Sequence, residues 1–417
     1  MKRILPVLLI LSLLIVATGV QGAQAECTDD IGCVQIGPDD PITIGYMLTI
    51  SGATSFLGED SQGGIQIAIS DRDGMLLDHE IDLVGEDSLC SAEGGQTAAQ
   101  KMAANDQVLG IIGTSCSSSA AAALPIISSA GMLMISPSNT APSLTNADTA
   151  SGGTWQPGYY RTAHNDLFQG SIAAQFAYNE LGKTKLATVH DGSPYAEGLQ
   201  AVMADTFTQL GGEVVFQGAV NVGDTDMSAI LTEISAAGPD IIYFPIFEPE
   251  GDFIAAQSAD TPGLEGVTLM GADGLLVSGF PQAAGEAAIG MYLSGPYLSG
   301  DEYDAFLQKW ADEIGGVPPS GFHAHAYDAT NILLDAVEQV AQVSDDGSIL
   351  VGRQALRDAI SSLKDYHGLT GNLTCGETGD CATGEALGIF QITAAEVDDG
   401  NWPPAVVWTP AMAEDSM

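Results

Sequence analysis

From Ile42 onward, short apolar runs alternate with longer stretches whose apolar residues recur at helical spacing. The apolar runs are Ile42–Leu48, Ile81–Gly85, Val108–Gly113, Met132–Ile135, Leu186–His190, Val214–Gln217, Ile241–Phe244 and Val267–Met270. Each has strand length and ends near Gly, Ser or Pro, so each predicts a β-strand. Helices are predicted over Ser61–Ser70, Gly95–Asn105, Ser118–Ala130, Gln169–Leu181, Glu197–Leu210 and Met227–Ala236. This strand–helix rhythm predicts an α/β fold with parallel sheets covered on both faces. Between Ser136 and Ala163 the rhythm pauses in a stretch rich in Pro, Gly, Ser, Thr and Asn, then restarts. Two αβ lobes are expected, with a ligand cleft between them. Further helices are predicted at Glu302–Ile314, His323–Val340 and Arg353–Leu363, and strand-like structure over Asp365–Ile392.

Ahead of this pattern, Lys2 and Arg3 precede an apolar run, Ile4–Val20, and a small-x-small sequence at Ala23–Ala25. Residues 1–25 read as a secretory signal peptide. Cys27 opens the option of lipid anchoring, but Glu26 stands where a lipoprotein signal wants a small residue. An exported chain permits disulfides. The simplest pairing of the six cysteines is Cys27–Cys33, Cys90–Cys116 and Cys375–Cys381, one of 15 possible sets. A zinc site is the rival, but no histidine neighbours those pairs, and no metal is expected.

Charge narrows the partners. Against 11 Lys plus Arg stand 54 Asp plus Glu, a formal charge of -43, yet 45% of the chain is hydrophobic. A disordered acidic tail is excluded by that apolar content, and binding to nucleic acid or anionic lipid by the charge. An anionic group would need local hydroxyls and backbone N–H groups.

Gly113-Thr114-Ser115-Cys116-Ser117-Ser118-Ser119 offers them. It lies at the carboxyl end of a predicted parallel strand, where open α/β sheets bind ligands, and at a helix start with unpaired N–H groups. Ser117 would meet a carboxylate there, or would simply cap the helix. Ile135-Ser136-Pro137-Ser138-Asn139-Thr140-Ala141-Pro142 follows another strand and suits a rigid anion- or amine-holding loop, or an ordinary crossover. Asp273, in Gly-Ala-Asp-Gly after Val267–Met270, would pair with an ammonium group; Asp166 and Tyr195 join it as candidates, though most of the acids serve only as solvated surface.

Catalytic patterns are weak. There is no G-x-S-x-G elbow and no P-loop lysine, and Ser117, His190 and Asp191 lack any local triad signature. His323 and His325 point about 200° apart on a helix and make poor joint ligands. Asn372-Leu373-Thr374 fits a glycosylation sequon.

Across Ile42–Ile392 the chain resembles the solute-binding proteins of branched-chain amino acid ABC transporters, the leucine/isoleucine/valine-binding family. The resemblance rests on Cys116-Ser117-Ser118-Ser119, Met134 to Pro142, Arg161-Thr162-Ala163, and His190-Asp191 with Tyr195-Ala196-Glu197-Gly198. It implies a two-lobed type I periplasmic binding fold with three crossing segments. The expected division is an extension at 26–40 with a small disulfide loop, lobe 1 at 41–163 plus 297–366, and lobe 2 at 164–296 plus 367–410. It implies a Cys90–Cys116 disulfide. Ser117, Ser138 and Thr140 would hold the ligand's carboxylate and ammonium atoms, Asp166 would close on its backbone end, and Tyr195 would form an aromatic wall. The family's ammonium-pairing Glu falls on Asp273, shorter by one methylene. Two positions depart from the family: Leu57 replaces a ring, and Phe247 replaces a Tyr.

The resemblance implies no enzymatic activity and no cofactor. Its expected ligand is an amino acid, Leu, Ile or Val, whose buried methylenes each contribute about 0.8 kcal/mol. Its expected partners are the membrane permease subunits of an ABC importer, and a monomer is expected. The alternatives are a ligand-binding sensor module, or a binder of amides, urea or aromatic acids on the same fold.

Overall fold

The computed structural model describes residues 26–414, so the expected signal peptide at 1–25 lies outside the described residues. Two large sheets form, beside two small ones of three and two strands. The first has six strands in the order Met75–Leu76, His79–Asp87, Ile42–Leu48, Ile111–Gly113, Met134–Ser136 and Tyr159–Arg161. All its pairings are parallel except the short edge strand Met75–Leu76. The second has seven strands: Ala405–Trp408, Leu387–Gln391, Tyr292–Pro296, Thr268–Gly271, Ile241–Tyr243, Lys185–His190 and Glu213–Ala219. Its first two pairings are antiparallel, so only Leu387–Gln391 runs against the others, and the remaining pairings are parallel. The central strands are apolar throughout, as strands covered on both faces must be: Ile42, Ile44, Ile111, Ile112, Ile241 and Ile242 are fully buried.

Each sheet has its own core. One large cluster joins the second sheet to its helices through Phe207, Tyr243, Phe244 and Phe280. Two further clusters cover the two faces of the first sheet. The chain passes between the lobes three times. Strand Tyr159–Arg161 of the first sheet leads into helix Asp166–Gln175, whose Ile172 and Ala173 pack in the second core. Strand Tyr292–Pro296 of the second leads into helix Asp301–Glu313, whose Trp310 packs on Ile67 of helix Phe56–Ser70 in the first lobe. Cys381, in the first-lobe cluster, leads to strand Leu387–Gln391 in the second sheet. The sequence reading placed everything from 367 in lobe 2, but Leu373, Cys375 and Cys381 pack with the first core.

The N-terminal strand Cys33–Ile36 pairs antiparallel with Ile349–Gly352 in a small three-stranded sheet. All three expected disulfides are formed: Cys27–Cys33, Cys90–Cys116 and Cys375–Cys381. Helix Gln169–Leu181 is corrected: the α-helix is Asp166–Gln175, and Phe176–Glu180 widens into a π-turn. Among the described residues, no helix is long and apolar enough to cross a membrane.

Candidate functional site

The first-lobe wall is built where strand Ile111–Gly113 ends. Gly113 sits at φ +141°, and a Cβ there would stand 2.2 Å from the Met47 carbonyl oxygen, so only glycine turns the chain here. The hydroxyls that follow divide into two kinds. Ser118 donates to the Cys90 carbonyl at 3.0 Å, and Ser119 to the carbonyls of Ser88 and Ser91. Both stitch helix Ser117–Ser129 to the neighbouring loop. Ser117, in the first turn of that helix, accepts only the Ala141 N–H, at 3.3 Å. The second loop is fastened to the first: Ser136 Oγ donates to the Thr114 carbonyl at 2.9 Å, and Ser138 Oγ to the Ser115 carbonyl at 3.0 Å. The Cys90–Cys116 bridge closes the same corner.

The second-lobe wall is carried by helix Pro194–Gln209 and by the turn after strand Thr268–Gly271. The Tyr195 hydroxyl donates to Asp273 Oδ1 at 2.8 Å and accepts the Gly274 N–H at 3.1 Å. The Tyr195 ring lies 5.0 Å from that of Phe247. Gln169 Nε2 donates to Asp273 Oδ1 at 2.7 Å and to the Ser294 carbonyl at 3.1 Å.

The two walls meet around a narrow cavity lined by Leu57, Ser117, Ser138, Tyr195, Phe247 and Asp273, with Ser115, Cys116 and Phe322. Six of the eight expected ligand residues therefore face one space. Its free volume is about 10 Å³, room for about one water molecule. Thr140 and Asp166 do not line it. They lie behind it, at 1% and 0% exposure, joined by a 3.0 Å bond from the Asp166 N–H to the Thr140 carbonyl. A larger apolar hollow, about 280 Å³ between Tyr297, Tyr303, Leu307 and Trp402, contains none of the expected residues.

The electrostatics of the site are set by burial. Burial pushes the Asp273 carboxyl up to about 6, against the hydrogen bonds from Tyr195 and Gln169. Burial and the facing Asp273 push Asp166 well above the ordinary carboxylate range, with Arg161 and Thr140 opposing more weakly. Burial holds His164 down at about 4, so its ring is neutral. Atoms of His164, Asp166 and Asp273 lie within 4.8 Å of one another, close enough to surround one small cation.

Ser117, His190 and Asp191 each accept a backbone N–H. His190 Nδ1 accepts the Gly192 N–H at 3.0 Å and Asp191 accepts the Ser193 N–H at 2.9 Å, while Ser117 is bonded to the first-lobe loop. His323 is held between Asp60 and Tyr303.

A family model described as "Periplasmic binding protein" matches residues 41–401. The chain belongs to the periplasmic binding protein family. It is 26% identical to the Leu/Ile/Val-binding protein BraC3 of Rhizobium johnstonii over 85% of this chain and 93% of the relative. It is 29% identical to the leucine-, isoleucine-, valine-, threonine- and alanine-binding protein of Pseudomonas aeruginosa, over 82% of this chain and 87% of the relative. Among solved structures, the leucine-binding protein LivK of Thermotoga maritima superposes with a TM-score of 0.76 at 25% identity, covering 89% of this chain and 99% of that one. A benzoate-bound solute-binding protein of R. palustris shares the fold, with a TM-score of 0.71 at 21% identity over 88% and 96% of the two chains.

Four residues of this periplasmic binding protein escaped the sequence reading as parts of the site: Gln169, His164, Arg161 and Phe322. Arg161 is fully buried. It donates to the carbonyls of Asn139 and Ala141 at 3.1 and 2.9 Å and to Thr145 at 2.9 Å, so it fixes the Ser138–Thr140 loop from behind. Its motif was visible, but its partners were not.

Proposed function

We propose that this protein captures a free amino acid with an apolar side chain, Leu, Ile or Val, outside the cytoplasm and delivers it to the permease subunits of an ABC importer. The observation that carries this reading is the division of the cavity. The Ser117 hydroxyl at a helix start, whose O–H is left to donate, stands on one wall beside Ser138 and suits a carboxylate. The Asp273 carboxylate stands on the other and suits an ammonium. The rest is apolar: Leu57, Phe247, Phe322 and the Cys116 bridge. Thr140 and Asp166 back the two polar walls. The Leu/Ile/Val-binding relatives support the same assignment.

Because the closed space holds only about one water, the lobes must part to admit a solute and close around it. A ligand favours the closed form only by binding it more tightly than the open one. Titration calorimetry with a panel of amino acids tests the reading. Saturable heat with at least one aliphatic amino acid is expected; no heat with any of them would remove it.

A second reading is favoured by the rings of Tyr195, Phe247 and Phe322: an aromatic acid as ligand. Against it, such a ligand leaves the Asp273 charge without a partner. Including benzoate in the same panel separates the two.

A further inference from the structure

The region behind the cavity contains a feature that ligand capture by hydroxyls does not use. Asp166 is fully buried, and neither carboxylate oxygen has a hydrogen-bond partner. The Thr140 hydroxyl beside it and His164 Nδ1 are buried and unpartnered as well. Gln169 settles the tautomer of that ring. Its amide nitrogen donates to Asp273 and to the backbone carbonyl of Ser294, which can only accept. The Gln169 oxygen must therefore receive its bond from His164 Nε2–H, which leaves Nδ1 as a bare lone pair. Asp166 thus faces a second carboxylate, and the one unengaged donor beside it is the Thr140 hydroxyl.

The cation that could balance two carboxylates is not free to do so by contact. Arg161 directs its nitrogens to Asp380, Asn139, Ala141 and Thr145. Asp273 has two neutral donors, Tyr195 and Gln169, whereas Asp166 has only the Thr140 hydroxyl beside it and makes no formed hydrogen bond. Two like charges this close and this dry are not both tolerated, and one proton shared by the pair relieves them. An ammonium offers three N–H donors and no acceptor, which fits the acceptors gathered here: the two carboxylates and the bare Nδ1 of His164. It also brings the same single positive charge that the proton supplied.

We propose that the Asp166–Asp273 pair holds one proton while the cleft is empty and releases it to the surrounding buffer when the ligand's ammonium enters, so that amino-acid capture is coupled to proton release. The coupling rests on the amino-acid reading above. No bond other than O–H breaks, and the site's net charge is unchanged: a proton leaves as an ammonium arrives. The other titratable groups packed around the pair are His164, His325 from the start of helix His323–Val340, Tyr195, Tyr243 and Arg161. His325 is held at about 3 by burial, and both tyrosines are pushed well above their ordinary value by burial. With His164 also held low, the carboxyl pair, raised by burial, is the group here left to change protonation.

The test is calorimetry of the full protein with leucine, in phosphate and in Tris, whose ionisation heats differ. About one proton released per leucine is expected. Below the pair's titration the affinity should tighten about tenfold for each unit that the pH rises, and it should level off above it. Asp166→Asn should bring the released protons close to zero and flatten the affinity profile. The wild-type buffer comparison decides the matter even if the variant does not fold. Leucine binding with equal heat in both buffers and a flat profile would overturn the coupling and leave the amino-acid reading standing. Tight binding of Ca²⁺ or Zn²⁺ alone that leucine cannot displace would also overturn it, as would equal proton release with benzoate. Absence of heat with every amino acid would remove both.

Discussion

Arg161 Nε reaches Asp380 Oδ1 at 2.5 Å, and a backbone bridge joins the same two residues. The Arg161 N–H also donates to the Gly379 carbonyl at 2.9 Å, and the Cys381 N–H to the Arg161 carbonyl at 3.2 Å. Two of the three passages between lobes are therefore laced together at one ion pair, and the same guanidinium holds the ligand loop. Burial raises the Asp380 carboxyl, but Arg161 and the hydrogen bonds from its neighbours outweigh this and hold it below the ordinary range.

Arg161→Ala leaves the pocket without its buried cation. A loss of about 3–5 kcal/mol in unfolding free energy is expected, read by urea titration. The pair's contribution is present above the unfolded carboxylate pKa and lost as pH falls through the lower folded value. Asp380→Asn should therefore weaken the protein at pH 7 and narrow its difference from wild type in acid. An unchanged difference from neutral to acid pH would contradict this.

For the Asp166–Asp273 pair the sign reverses. A carboxyl whose folded pKa is raised makes the empty protein lose stability as pH rises through the window between its unfolded and folded values. For Asp273 that window ends at about 6. Asp166→Asn should raise the Tm of the empty protein at pH 8 by about 2–4 °C, with little gain at pH 4. Differential scanning calorimetry at both pH values checks it.

Ser117→Ala removes the one hydroxyl of Ser117–Ser119 that lines the cavity. The expected cost is about 1.4 kcal/mol, or a tenfold weaker Kd for leucine. Ser119→Ala should instead lower stability, since its hydroxyl bonds two backbone carbonyls in the buried loop, with a smaller effect on Kd. Comparing both variants by calorimetry and by thermal melts separates the roles.

Replacing Cys90 and Cys116 together by Ala opens a loop of 26 residues. The expected loss is about 2–4 kcal/mol of stability, together with weaker leucine binding, because the bridge holds the corner carrying Ser117. A destabilised variant that binds leucine as tightly as wild type would show that the bridge acts on folding alone.

Much of the framework was legible because central parallel strands are apolar on both faces. Ile42–Leu48 and helix His323–Val340 coincide with their predicted bounds. The failures share a cause: buried polar groups break the apolar pattern. Helix Phe56–Ser70 begins five residues before its predicted start because Asp60, fully buried, accepts the N–H groups of Ser320 and Phe322 and reads as surface. Helix Glu250–Ala259 went unpredicted because Glu250 and Asp252 lie on its buried side. Strand Tyr292–Pro296 was hidden by Ser294, Gly295 and a terminal proline. In the site, hydroxyls carried by two local segments were readable. Arg161 was not, since its partner Asp380 lies 219 residues away.

The lacing at Arg161 also changes what the formal charge of -43 can do. Dissolved ions screen the acidic exterior within about 10 Å at 0.1 M salt, but reach a dry, fully enclosed guanidinium poorly. The molecule therefore has a salt-sensitive skin and, at Arg161, a far less salt-sensitive joint between two of its interlobe passages. Its solubility and self-repulsion can follow the ionic composition of its surroundings while that joint changes little, so a change of brine alters how these molecules meet one another more than how each one is held together.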